Sequence, residues 1–202
     1  MNGPDLELAK AYALERLEHE LAPALYYHSL AHTRDEVAGA ATALAAEVGV
    51  ENEALRLLLT AAYYHDIGFI YLRDGHEQAG IEIACDVLPR FGYSTADVAA
   101  VTGMIRATQL PQTPANQLEA LMADADLDVL GREAYWQRHR DLRAEWVAFD
   151  VPQTDYEWFQ IQLAFQSGHQ FFTPAARRLR GPTKMAIIER LKVVTAELAP
   201  AR

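Results

Sequence analysis

A chain of 202 residues, half of them hydrophobic, is long enough to bury a core without disulfides or a structural metal. Its net charge of −10 argues against the basic face with which nucleic-acid polymers are bound. The single cysteine, Cys85, excludes an internal disulfide and a thiolate zinc cluster, and its expected place is a buried apolar position on a helix.

The N-terminal segment 1–7 is acidic, and no uncharged run approaches the ~18 residues of a membrane span, so a cytoplasmic protein is expected. Segment 5–21 is rich in strong helix formers and stops before Pro23. From Leu30, the apolar positions Leu30, Val37, Ala41, Leu44 and Val48 trace one helical stripe closed by Gly49, and the many alanines around it allow close approach by neighbouring helices. The next helix, about 51–66, is apolar on most faces and therefore central. Gly68 is placed to end it, leaving His65 and Asp66 on its last turn. Further helices are predicted at about 76–88, 95–107, 116–130, 133–148, 153–171 and 183–198, with breaks at 89–92, 111–114, 151–152 and 180–182. Nothing alternates as a strand would, and there are no repeats, so an all-α bundle is expected. After about residue 132 aromatic residues accumulate, including Tyr135, Trp136, Trp146, Trp158, Phe159 and Phe165. These helices are expected to pack on the first bundle, covering a site or forming a subunit contact, with the aromatics near Trp146 and Trp158 exposed.

Four dispersed positions, His32, the adjacent His65 and Asp66, and Asp126, are of the residue types that hold a divalent cation while leaving room for water and substrate. A buried charge such as Asp66 costs several kcal/mol unless paired or metal-bound. Neighbours on a helix diverge by about 100°, which suits adjacent corners of one coordination sphere. The alternative is that Asp66 caps the following turn and His65 is a hydrogen-bonded core residue. His28 and His32 share a helix face, roughly opposite the Leu30–Val48 stripe, either as solvated groups or as ligands, with His28 at the lip of a pocket. In the acidic run, helix phase sets Asp126 and Asp128 about 80° from the apolar stripe and Asp124 about 120° away. Asp126, flanked by Met122 and Leu130, is the acid held inward, whereas Asp124 stands behind the ligands or in solvent. A surface acidic run is the competing reading. His76 and Glu77 open a helix as a substrate-facing acid or base, as ligands to a second metal, or simply as a helix start favourable to the dipole. Arg106, Arg143, Lys184 and Arg34 are candidate phosphate partners, although helix arginines are ordinarily solvated.

Taken in chain order, segments 27–33, 62–68, 76–80 and 123–131 resemble the HD-domain metal-dependent phosphohydrolase superfamily, over about residues 26–131. Segments 142–146 and 173–177 look like the tail of a poorly characterised bacterial branch, the predicted HD phosphohydrolases. The resemblance implies one helical domain over 1–202, with a core at about 24–131 and a C-terminal helical extension at about 132–202. It implies His32, His65, Asp66 and Asp126 as ligands of a divalent ion (Mn, Fe, Ni, Co or Mg). His28 is similar to the general acid of the cyclic-nucleotide branch. Some two-metal members carry histidines where 101–108 has none, and the glutamate that some nucleotidases place after the His-Asp pair is absent at that spacing. The implied activity is hydrolysis of a small phosphorylated, nucleotide-like substrate by metal-activated water. Asp66 would orient the water, His28 or Glu77 would protonate the leaving oxygen, and His76 and Arg106 would contact substrate. No nucleic-acid polymer or membrane partner is expected, and a homodimer is compatible. A di-iron HD oxygenase is one alternative; a non-catalytic metal- or nucleotide-binding sensor or scaffold is the other.

Overall fold

The computed structural model describes residues 3–200, so the first two residues of the acidic N-terminal segment lie outside it. No strand occurs among the described residues, and the fold is all-α as the periodicities predict. The chain forms two units, one of residues 3–23 and 28–127, the other of 24–27 and 128–200. No helix among the described residues is long and apolar enough to cross a membrane.

In the first unit, helix α1 (Leu6–Glu20) starts where Asp5 accepts the Leu8 amide at 3.1 Å, a cap contributing about 1 kcal/mol. Its inner face is Ala9, Ala13 and Leu17, at helical spacing. A π-helical turn, His32–Val37, leads into α2 (Ala38–Glu47). The central helix α3 (Asn52–Tyr64) packs against α1, α2, α5 (Thr95–Thr108) and α6 (Gln117–Asp126), while α4 (His76–Val87) follows the turn at its end. Leu58, Ala61, Ala62 and Tyr64 of α3 are fully buried, and burial of a leucine side chain stabilises by about 2 kcal/mol. Tyr64 places its ring over Tyr12 and donates its hydroxyl to the Ala9 carbonyl at 3.0 Å, which satisfies the polar tip of a buried aromatic. Buried Ala38, Ala41 and Ala45 let α2 lie close to α3 and α6.

Three details of this unit differ from the predicted ones. The π-helical turn was invisible to a 3.6-residue period: the Ala38 amide bonds to the Thr33 carbonyl, five residues back, and Leu30, on the far side of the turn, is only half-buried. Helix α6 stops at Asp126, short of the predicted 130, and residues 128–131 form a separate 3₁₀ turn. Cys85 is exposed rather than buried, because Ile81, Ala84 and Val87 take the inner face of α4.

The second unit comprises α7 (Tyr135–Ala148), α8 (Asp155–Gly168) and α9 (Pro174–Glu197). Thr154 and Glu157 form a capping box on α8, and Thr173 caps α9 with Pro174 in its first turn. The break predicted at 180–182 does not occur. Pro182 removes one intrahelical hydrogen bond, but α9 continues through it. Arg180 is held on both sides: its guanidinium donates to Asp128 at 2.6 Å, and the 3₁₀ turn lies on its backbone where a Cβ at Gly131 would collide. Trp158 is fully buried, against the expectation of exposure, and Trp146 is half-buried with its ring edge-on to it. The Trp158 indole donates to His139 Nδ1 at 3.0 Å. Arg143 is committed here, to Asp155 at 2.7 Å and to the Gln153 carbonyl at 2.9 Å. Lys184 is buried against Gln166, and burial pushes its pKa down to about 8.

Candidate metal centre

Helix α3 ends at Tyr64, and His65 keeps helical dihedrals while Asp66 turns out to φ −104° and ψ 3°. A 3₁₀ turn, Ile67–Ile70, follows. Asp66 makes no side-chain cap to that turn, so its carboxylate is left for another purpose. Gly68 acts here by absence of bulk rather than as a helix terminator. A Cβ on it would strike the His76 carbonyl and approach the Gly80 amide to 2.8 Å. Gly80 in turn passes the Tyr64 carbonyl, at 3.1 Å from where its own Cβ would stand. Two bare backbones therefore press the His65–Asp66 turn against the start of α4 and bring His76 beside Asp66.

Four side chains converge. His65 Nε2 lies 3.2 Å from Asp66 Oδ2 and 3.5 Å from Asp126 Oδ1. His32 Nε2 lies 3.7 Å from Asp66 Oδ2 and 3.8 Å from Asp126 Oδ1. Ligand atoms of His32, His65 and Asp66 all fall within 4.8 Å of one another. His65 Nε2 and Asp66 Oδ2 are buried and make no hydrogen bond, their mutual geometry being off-line. Donor atoms about 2.0–2.2 Å from one ion are spaced about 3–4 Å apart, so the set His32, His65 and Asp66 fits a divalent cation, with Asp126 standing beside the two imidazoles. The outer nitrogens are already engaged: His65 Nδ1 lies 2.8 Å from the Ala62 carbonyl and His32 Nδ1 3.1 Å from Glu36.

Charge follows from this packing. Burial disfavours the cationic form of His65, but Asp66 and Asp126 outweigh it and hold its pKa well above the ordinary value. His32 is raised in the same way, against burial, by Asp126, Glu36 and Asp66. Burial would raise Asp66, yet His65, His28 and His32 bring it below the usual carboxylate range, and Asp126 is lowered by His32 and His65. Protons held here compete with a cation, so uptake of the ion releases them.

His28 precedes the helix, half-buried, and stacks on Phe69 at 4.3 Å between centroids. Phe69 also stacks on His76 at 3.9 Å. His76 Nδ1 lies 2.8 Å from the Arg73 carbonyl, and its Nε2 faces Asp66 Oδ1 at 3.5 Å and Glu77 Oε1 at 3.7 Å. Asp124 is fully buried rather than solvated. Arg106 lies exposed on the last turn of α5 and forms no ion pair with the four, and Arg34 pairs with Asp35. Sequence reasoning did not find Phe69, whose partners are distant in the chain, or Glu36, although its i+4 spacing from His32 was a usable signal.

The family model of the HD domain matches residues 25–128. No curated protein matches the chain. A crystal structure of a predicted HD superfamily hydrolase from an uncultured Thermotogales bacterium is similar, with a TM-score of 0.63 and 24% identity, over 97% of this chain and 94% of that one.

Proposed function

Because the chain belongs to the HD-domain family, we propose that it is a metal-dependent hydrolase, and more finely a phosphohydrolase of a small, nucleotide-like substrate. The observation that supports this reading is the pair of buried atoms, His65 Nε2 and Asp66 Oδ2, 3.2 Å apart and without hydrogen bonds. Buried polar groups left in this state cost about 1–3 kcal/mol each unless a ligand completes them. His32, His65, Asp66 and Asp126 would hold the ion. When bound, a divalent cation supplies Lewis acidity toward water and a phosphoryl oxygen.

The chain's own residues do the rest. Asp66 turns Oδ2 toward the two imidazoles and Oδ1 toward His76, so one carboxylate both binds and orients a water on that side. His28 or Glu77 donates a proton to the leaving oxygen, both being half-buried and so reachable by substrate. His76, held through its Nδ1, offers Nε2 to a substrate anion. Metal analysis, with a screen of phosphomonoesters, phosphodiesters and nucleotides on the parent and on Asp66→Ala, tests the reading. Turnover that depends on a divalent ion and disappears in the variant is the expected result; turnover untouched by the substitution rejects it.

A further inference from the structure

We infer that Glu36 is a positioning residue for His32: it fixes the Nδ1–H tautomer, aims Nε2 at the centre and tightens cation binding. The inference rests on the metal reading above. Glu36 Oε2 lies 3.1 Å from His32 Nδ1. A carboxylate facing Nδ1 accepts its proton, so Nε2, on the side of Asp66 and Asp126, is the nitrogen left to donate its lone pair once an ion is taken up. His65 and His76 are also held through Nδ1, but by the backbone carbonyls of Ala62 and Arg73, both neutral acceptors. Of these three imidazoles, His32 is the one backed by charge.

A charged acceptor makes a stronger bond than a neutral one and draws the Nδ1 proton toward itself, which leaves Nε2 more electron-rich as a donor to a metal. The placement suits the task. His32 is 2% exposed at its side chain, whereas Glu36 is 38% exposed. Glu36 thus reaches water on one side while its carboxylate faces a buried ring on the other. Both residues lie on the π-helical turn, one at each end of a single wind.

The test is calorimetric titration of the full chain with Mn²⁺, comparing the parent with E36A, E36Q and D35N. E36A is expected to bind about 10–100-fold more weakly. E36Q should fall between E36A and the parent, because its amide oxygen accepts the same proton without the charge. D35N, on the same turn but paired with Arg34, should match the parent and so rule out a general loss of negative charge. A parent that binds Mn²⁺ no better than E36A overturns this inference and leaves the metal reading standing. A parent that takes up no divalent ion overturns both. Nitrogen-15 spectra of the zinc-loaded parent supply an independent measurement: His32 protonated at Nδ1 is expected, and protonation at Nε2 overturns the assignment without any variant.

Discussion

In the second unit the buried Asp128 has an arginine on each carboxylate oxygen, Arg180 on Oδ1 and Arg132 on Oδ2. In the first unit the buried Asp66 Oδ2 has no hydrogen bond and faces two imidazole nitrogens, His65 Nε2 at 3.2 Å and His32 Nε2 at 3.7 Å. Three further buried side chains of the second unit follow the Asp128 pattern. Glu145 accepts the Tyr27 amide at 2.9 Å, His139 accepts the Trp158 indole, and Lys184 donates to Gln166. One region meets the cost of burying charge with partners from the chain; the other leaves donor atoms arranged as an ion would need them. Burial alone therefore does not mark a candidate functional group; unsatisfied donor atoms of His65 and Asp66 converging on one point do.

The strongest way to break this contrast is Asp66→Ala. Loss of kcat/KM by at least about a thousandfold is expected, roughly 4 kcal/mol of transition-state stabilisation. The same variant should lose the stabilisation that Mn²⁺ gives the parent, about 2.7 kcal/mol at a hundred times Kd, measured by thermal unfolding. Asp128→Ala should do the converse: it leaves Arg180 and Arg132 without their shared partner, lowering stability by about 3 kcal/mol in urea while Mn²⁺ affinity is unchanged.

His139 sharpens the contrast through pH. Burial first, then Arg140 and Arg143, lower its pKa from 6.5 to about 4 in the folded chain. The unfolded chain therefore takes up the proton first, so stability is fully present above pH 6.5 and falls as pH drops toward 4. The loss is about 3 kcal/mol at most. Tryptophan fluorescence during urea unfolding at pH 7 and pH 4.5 should report it, and His139→Gln, which keeps an acceptor for the indole but does not titrate, should flatten it. The smallest effect expected is from Gly68→Ala, about 2 kcal/mol from the clash with the His76 carbonyl, with Mn²⁺ affinity reduced because the Asp66 turn is pushed off α4.

Most of the helices were legible because their inner faces repeat at 3.6 residues, as Ala9, Ala13 and Leu17 do in α1. His32, His65, Asp66 and Asp126 stood out by residue type and order, but helix phase misjudged burial in the acidic run: Asp124 and Asp128 are buried, Asp126 is only half-buried, and the helix ends before residue 128. What stayed hidden was non-local. Gly68 reads as a helix end until the chain folds back and sets the His76 carbonyl against it. Pro182 reads as a break because the contacts of Asp128 and Gly131 with Arg180 lie about 50 residues away in the chain. Trp158 reads as a surface aromatic until α7 supplies His139.

The wide wind at His32–Val37 has a consequence for how such a chain can change by insertion and deletion. It stores one surplus residue, so excision of a single position there would let the helix close to ordinary geometry with its hydrophobic partners downstream still in place. Taken from between His32 and Glu36, it would leave the His32 ring facing as before but shorten the four-residue step that pairs it with Glu36. Length at this point is thus a lever on chemistry that leaves the architecture alone.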